Sequence, residues 1–443
     1  MQTHPIAGPL FTDLYELTMA AGYHRHGLHR QPATFSVFVR NPGHKRNYFV
    51  AAGLDNVLMA LERYRFTPQD LDYLRSLGLF TAAFQDYLAR LRFSGDIRAL
   101  PEGTIFFAEE PLMEITAPLA EAQLIETFVL NTLGLGTLIA TKASRCVYAA
   151  RGRPLVDFAL RRTHGLDAGD QVARNTYLAG FAATSNVRAG QRFGLPLAGT
   201  MAHAFISAFP SEIEAFRAFV DTFPEDAILL IDTYDTLEGA RNAAAVAREM
   251  KARGQTLKGV RLDSGDMVAL SHAVRAILDD EGLQEAKIYA SSGFDEFGVD
   301  AVVRAGAPID AFGVGTRVGV SADAPYMDIV YKLVRRGRRD VRKLSPGKVT
   351  LAGRKQLFRR REDDGTYKED IIACRDETID GAEALLVPVM TGGRRLQTGV
   401  SLASARQHFE AEFACLDPRF KDIHHYAAYP VHVSAELQRR QPA

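Results

Sequence analysis

Ile228-Leu229-Leu230-Ile231 runs directly into Asp232-Thr233-Tyr234-Asp235, and the same change from apolar to polar recurs three more times downstream. Gly259-Val260-Arg261-Leu262 leads into Asp263-Ser264-Gly265-Asp266, Ile288-Tyr289-Ala290 into Ser291-Ser292-Gly293, and Ile309-Asp310-Ala311-Phe312 into Gly313-Val314-Gly315-Thr316. Each reads as a buried strand ending in a loop. Parallel strands covered on both faces need near-continuous apolar runs, and α/β folds place their chemistry at the carboxyl ends of those strands. The polar ends are therefore expected to converge on one site, and their aspartates and glycine turns suit a phosphorylated sugar.

Working outward, residues from about 150 to 320 repeat a strand, loop and helix unit. Candidate strands centre on Leu155–Ala159, Leu197–Thr200, Ile228–Ile231, Lys258–Leu262, Lys287–Ala290 and Ile309–Phe312. Helical patterns lie between them: Thr236 to Arg253, closed by Gly254, and Met267 to Leu278, with Val268, Ala273, Val274 and Ile277 at helical spacing. These are βα units of a parallel sheet or barrel, and six strands instead of eight point to an irregular, incomplete α/β barrel. Outside this block helices and strands mix. Thr67-Pro68-Gln69-Asp70 opens a helix. Ala33 to Arg40, Phe93 to Leu100 and Gly103 to Ala117 read as strands, and after about residue 325 strands alternate with polar turns at Arg335–Asp340, Ser345-Pro346-Gly347 and Glu362–Gly365. The flanks are expected to form one discontinuous mixed α/β domain. The resulting division is 1–130 and 326–443 for that domain and 131–325 for the catalytic one.

Composition excludes several classes. Across 443 residues, lysine plus arginine equals aspartate plus glutamate at 53 each, so no global field attracts nucleic acid or an anionic membrane. The runs Arg335-Arg336-Gly337-Arg338-Arg339 and Arg359-Arg360-Arg361 lack interleaved aromatics and read as solvated hairpin tips. Cys146, Cys374 and Cys415 show no metal-ligand spacing and suit a reducing compartment. The opening Met1-Gln2-Thr3-His4-Pro5 does not resemble a signal peptide, and no stretch approaches a membrane span, so a cytoplasmic location is expected.

The chemistry-bearing residues lie at the strand exits. Gly313-Val314-Gly315-Thr316 and Ser291-Ser292-Gly293 form two adjacent turns whose backbone N–H groups suit a phosphate; each alone could be no more than a tight strand exit. Asp232, Asp235, Asp263 and Asp266 could hold Mg²⁺ or ribose hydroxyls, or cap the helices that follow. Asp266 suits a cap equally well, whereas Asp232 and Asp263, earlier in their loops, fit ligand or metal contact better. His203, just past Leu197–Thr200, is a candidate nucleophile if Asp232 fixes its tautomer; a lone histidine is otherwise an ordinary core residue. Arg161-Arg162, at the exit of Leu155–Ala159, can clamp a phosphate or carboxylate, with Phe158 offering a flat face or simply filling the core.

Phe158-Ala159-Leu160-Arg161-Arg162, Thr184-Ser185-Asn186-Val187, Gly199-Thr200-Met201-Ala202-His203, Asp232-Thr233-Tyr234-Asp235, Arg261 to Asp266 and Gly313-Val314-Gly315-Thr316, in this order, resemble the nicotinate phosphoribosyltransferase family. So does Phe11-Thr12-Asp13-Leu14-Tyr15-Glu16-Leu17-Thr18-Met19. The resemblance implies transfer of a phosphoribosyl group from 5-phosphoribosyl 1-pyrophosphate to nicotinate in NAD salvage, coupled to ATP hydrolysis with Mg²⁺, by a homodimer with composite sites. It implies catalytic roles for His203, Asp232 and Asp263, with His203 transiently phosphorylated and the two aspartates as metal candidates. Tyr15 from the partner subunit, Phe158, Arg161 and Ser185 would meet nicotinate; Arg161, Arg261, Ser292, Gly293, Gly313, Gly315 and Thr316 would meet the phosphoribosyl group. Serine at 185 stands where the related nicotinamide enzyme has aspartate, and a hydroxyl suits a carboxylate where an acid would repel it. Ala183 in place of a common glycine, and Thr163-His164 in place of a small residue and glutamine, are departures that bear on fine specificity. Quinolinate phosphoribosyltransferase, which needs basic residues for a second carboxylate, and a non-catalytic nucleotide sensor are the alternatives.

Overall fold

The computed structural model describes residues 8–41, 45–343, 345, 350–396 and 401–441. The opening Met1–Pro5 and the centre of the turn expected at Ser345-Pro346-Gly347 lie outside the described residues. Contacts divide the chain into two compact units, one built from Met1–Thr141 with Tyr326–Ala443, the other from Lys142–Pro325. The first division therefore falls inside the helix Glu126–Ala150, later than residue 130, because that apolar helix runs on unbroken past the expected boundary.

The Lys142–Pro325 unit holds a six-stranded parallel sheet in the order Ala183–Thr184, Leu155–Asp157, Ala311–Val314, Lys287–Ser291, Gly259–Leu262, Ile228–Leu230. Its residues explain its burial. Leu229, Leu230, Ile231, Val260, Leu262, Ile288, Ala290 and Val314 have no exposed surface, as strands covered on both faces require. Each large aliphatic side chain buried in this way contributes about 1.5–3 kcal/mol. Helix Thr236–Ala252 turns Ala240, Ala243, Ala244, Val246, Ala247 and Met250 inward, and Gly239 lets it approach so closely that a Cβ there would stand 2.1 Å from the Ile231 carbonyl oxygen.

Two strands depart from expectation. Leu197–Thr200 is not a strand: only Leu197 bridges to Thr184. Pro196 lacks the N–H that pairing needs, and Ala198 is the last residue there to donate to the Thr184 carbonyl. Ala183–Thr184, which was not anticipated, takes the place beside Leu155–Asp157.

The other unit is built on a seven-stranded sheet that interleaves both ends of the chain. Its order is Arg339–Asp340, Ile329–Arg336, Pro32–Val39, Pro111–Pro118, Asp96–Ala99, Val387–Thr391, Arg394–Arg395. Thr67 caps helix Pro68–Ser76 in a reciprocal pair with Asp70, as the sequence indicates. Arg335–Arg339 does form a hairpin tip, turned at Gly337 and paired with Asp340.

The second arginine run is not a solvated tip. Arg359 lies within strand Lys355–Arg361 and is fully buried, with Asp370 and Glu412 as ion partners and the Ile105 carbonyl as a further acceptor. Arg360 pairs with Glu369 at 2.8 Å and Arg361 with Glu412 at 2.9 Å. The run is thus neutralised internally, by acids on the neighbouring strand Tyr367–Cys374 and on helix Leu402–Cys415.

Candidate active site

The carboxyl ends of the parallel strands are joined by a continuous polar network. Asp232 Oδ2 accepts from the Asp263 backbone N–H at 2.9 Å and from the Ser264 hydroxyl at 2.6 Å. Asp263 Oδ1 accepts from the Ser291 hydroxyl, and Asp263 Oδ2 lies 3.7 Å from His203 Nε2. His203 Nδ1 is 3.1 Å from Thr233 Oγ1. Three successive strand exits therefore meet at His203 and Asp263.

This arrangement corrects the tautomer expectation. Thr233, not Asp232, holds His203 Nδ1, because the Asp232 carboxylate turns to the Asp263–Ser264 loop. Asp266 and Asp235 act as caps: Asp266 Oδ1 accepts from the N–H groups of Val268 and Ala269, and Asp235 Oδ1 from that of Glu238. Asp232 and Asp263 stay free of that duty. One oxygen of Asp232, Oδ1, is buried with no hydrogen-bond partner among the described residues, a costly state.

Beneath the network, a cavity of about 380 Å³ is lined by Phe158, Thr200, Arg261, Ser291, Phe312 and Gly313, among others. Gly313 is required by contact. A Cβ at this position would stand 2.5 Å from Phe158 Cδ2 and Cε2, so glycine lets the ring approach the strand closely. Arg261 donates from Nη1 to Thr200 Oγ1, and its Nε is buried without a partner among the described residues. Burial lowers the affinity of this guanidinium for its proton, an effect that Asp263 and Asp232 oppose and Arg161 reinforces. Arginine stays charged under any ordinary condition, so the cavity presents an incompletely satisfied cation.

The neighbouring loop is fixed by Asp157. It is almost fully buried and accepts from the Ala159 N–H at 2.8 Å and the Thr184 hydroxyl at 2.7 Å. Burial raises its pKa, and those two donors oppose the rise. Ser185 follows with its N–H on the Asp157 carbonyl at 2.9 Å, while Asn186 caps helix Val187–Phe193 and donates to Asp170. Arg161 lies in the exposed turn Leu160–Arg162. Ser292 has φ 152° and Gly293 φ 57°, so this turn is held in a conformation that side chains rarely adopt. Gly315 and Thr316 open the short helix Thr316–Gly319. Tyr15 belongs to the other unit, where helix Leu14–Arg25 buries Glu16, Leu17 and Ala20 and exposes Leu14, Tyr15 and Met19.

Thr233 and Thr200 carry no sequence signal of their own beyond standing within segments quoted above, and Ser291 is read there only as part of the turn Ser291-Ser292-Gly293. A hydroxyl residue within such a segment is too common to mark a site by itself.

Two sequence profiles match the chain. The nicotinate phosphoribosyltransferase (NAPRTase) N-terminal domain covers residues 10–134, and the nicotinate phosphoribosyltransferase (NAPRTase) family covers residues 154–325. Nicotinate phosphoribosyltransferase pncB2 of Mycobacterium tuberculosis is 47% identical over 432 residues, spanning 97% of this chain and 92% of that protein. The chain belongs to the nicotinate phosphoribosyltransferase family. The Bacillus subtilis nicotinate phosphoribosyltransferase is 40% identical over 429 residues, with 94% of this chain and 87% of that one covered. The crystal structure of human nicotinic acid phosphoribosyltransferase superposes with a TM-score of 0.88 at 28% identity, over 97% of this chain and 98% of the human one. The fold described above is therefore that of a member of this family.

Proposed function

We propose that the chain transfers the phosphoribosyl group of 5-phosphoribosyl 1-pyrophosphate to nicotinate, giving nicotinate mononucleotide and pyrophosphate in NAD salvage, and couples this to ATP hydrolysis through a phosphohistidine at His203. The observation that carries the coupling is the pair of contacts on one imidazole. With Nδ1 protonated and donating to Thr233, Nε2 would keep its lone pair, 3.7 Å from Asp263 Oδ2. That is the arrangement a histidine nucleophile needs.

Breaking the anomeric bond develops positive charge on the ribose, so the enzyme must place the pyridine nitrogen close and hold the leaving group. Phe158 would carry the flat face of the pyridine ring, Ser185 would donate to its carboxylate, and Arg161 and the spare Nε of Arg261 would meet anionic groups of the substrates. The turns at Ser292-Gly293 and Gly313–Thr316 would cradle phosphate.

The residues present fit Mg²⁺. Among the described residues no group of three or more histidine, cysteine or acidic side chains forms a metal cage, but Mg²⁺ is commonly bound by one or two carboxylates together with substrate phosphates. Asp232, with its unpartnered buried Oδ1, and Asp263 supply those carboxylates. Bound there, the ion would neutralise diphosphate charge.

The same reading takes the parallel sheet as an irregular barrel. Leu155–Asp157, the first strand, pairs with Ala311–Val314, the last, and this supports a ring interrupted between Leu197 and Ile228–Leu230. Composite sites in a homodimer would need an exposed face around Tyr15, and Phe11, Leu14 and Met19 provide apolar surface beside it.

The test is incubation with nicotinate, 5-phosphoribosyl 1-pyrophosphate, Mg²⁺ and ATP. Nicotinate mononucleotide and ADP are expected in equal amounts, and His203→Ala is expected to lose ATP stimulation and acid-labile phosphate while keeping slow transfer. Unchanged ATP coupling in that variant rules His203 out; absence of nicotinate mononucleotide from the native protein rejects the whole reading.

A further inference from the structure

Behind the two glycine turns lies a buried charge cluster that none of the steps above uses. Lys142 has no exposed surface, and its ammonium meets two carboxylates, Glu296 in a close ion pair and Asp323 at 2.8 Å. Glu296, itself wholly buried, also accepts from Arg145 Nε at 2.9 Å. Two cations therefore face two acids.

The sequence positions of the acids give the cluster its meaning. Glu296 is the first residue of helix Glu296–Arg304, which starts just after Ser291-Ser292-Gly293. Asp323 closely follows helix Thr316–Gly319, which starts from Gly313-Val314-Gly315. One ammonium thus fastens both turns to a common point. A second strap runs across the turns directly, from Arg317 Nη1 to Asp295 Oδ2 at 3.2 Å, while Asp295 caps the longer helix through the Gly298 N–H. An ion in a dry interior has few geometries in which both partners remain satisfied, so such a cluster restricts the distances its members can adopt.

We propose that Lys142 is a positioning residue for 5-phosphoribosyl 1-pyrophosphate: by holding Glu296 and Asp323 together it sets the separation of the two turns, and with it the affinity for the phosphoribosyl group. This rests on the assignment of those turns to the phosphoribosyl group made above. Lys142 touches no substrate; it acts through the turns.

The experiment compares KM values in native enzyme, in Lys142→Met, and in a variant combining Lys142→Met, Glu296→Gln and Asp323→Asn, which leaves neither of these carboxylates buried and charged. A site displaced by around 1 Å loses up to about 100-fold, so the KM for 5-phosphoribosyl 1-pyrophosphate is expected to rise at least about tenfold, while that for nicotinate moves less than about twofold. Equal changes in both constants, or no change in a folded variant, overturn the proposal. Hydrogen exchange on the native protein needs no variant: amides of 291–296 and 313–323 are expected to be protected before substrate is added. Exchange as fast as in exposed loops, slowed only by the substrate, also overturns it. Thr316→Val tests the underlying assignment separately. If it raises the same KM while the cluster variants do not, only the positioning role falls; if it leaves that KM unchanged, the turns were assigned wrongly.

Discussion

Replacing Gly313 with alanine is expected to damage nicotinate use through one side chain. The new methyl would lie 2.5 Å from two carbons of the Phe158 ring and 3.2 Å from Ser291 Cβ. Carbon atoms in ordinary contact sit about 3.5–4.0 Å apart, so the ring must retreat by about 1 Å. Gly313 is not at positive φ, so backbone strain adds nothing. A reacting group misplaced by that distance costs up to about 100-fold, and a loss of 10- to 100-fold in kcat/KM for nicotinate corresponds to about 1.4–2.7 kcal/mol. The assay is steady-state formation of nicotinate mononucleotide, with thermal melting as a control for overpacking, which itself costs about 1–3 kcal/mol of stability. A double-mutant cycle isolates the cause. In a Phe158→Ala background the methyl has no ring to displace, so Gly313→Ala should cost almost nothing further. A penalty of the same size in both backgrounds would refute the argument, as would a single variant with native kcat/KM.

Three further outcomes follow from the same geometry. Ser185→Asp places a carboxylate where the proposed substrate carries one, and the KM for nicotinate should rise more than about tenfold while nicotinamide gains; kinetics with both substrates check this, and an unchanged preference removes Ser185 from the ring site. Thr184→Val takes away the hydroxyl that donates to buried Asp157 and accepts from the Asn186 N–H, so chemical denaturation should show a loss of about 1–3 kcal/mol. Glu110 is wholly buried, and burial, then the nearby Asp370, raises its pKa well above the ordinary value. Because the folded state keeps this proton after the unfolded chain has released it, stability should fall as pH climbs above about 4.5. Glu110→Gln should flatten that slope in melts taken from pH 5 to 8, and an unaltered slope would exclude Glu110 as its source.

The sheet was legible where apolar runs were long enough to be buried on both faces, as at Ile228–Ile231 and Lys258–Leu262. It was not legible at Ala183–Thr184, because two residues carry no periodicity, nor at Leu197, where the proline beforehand leaves a single bridge. Helix caps could be read locally, since Asp266 and Asp235 bond within their own loops. Contacts between loops could not. Thr233 holds His203 across 30 residues, and Asp370 answers Arg359 from the neighbouring strand. A charge run shows its own sign, but its partners are set by strand register, which the tertiary fold alone decides.

The sheet built from both chain ends constrains how this protein is made. Strand Pro32–Val39 meets Pro111–Pro118 early in synthesis, yet its other neighbour, Ile329–Arg336, leaves the ribosome about 300 residues later. Until then one edge of Pro32–Val39 stays open, and an unpaired apolar edge is a template for association with other chains. A nascent polypeptide stalled anywhere before residue 329, or a gene truncated there, would therefore carry an adhesive border that the finished molecule conceals.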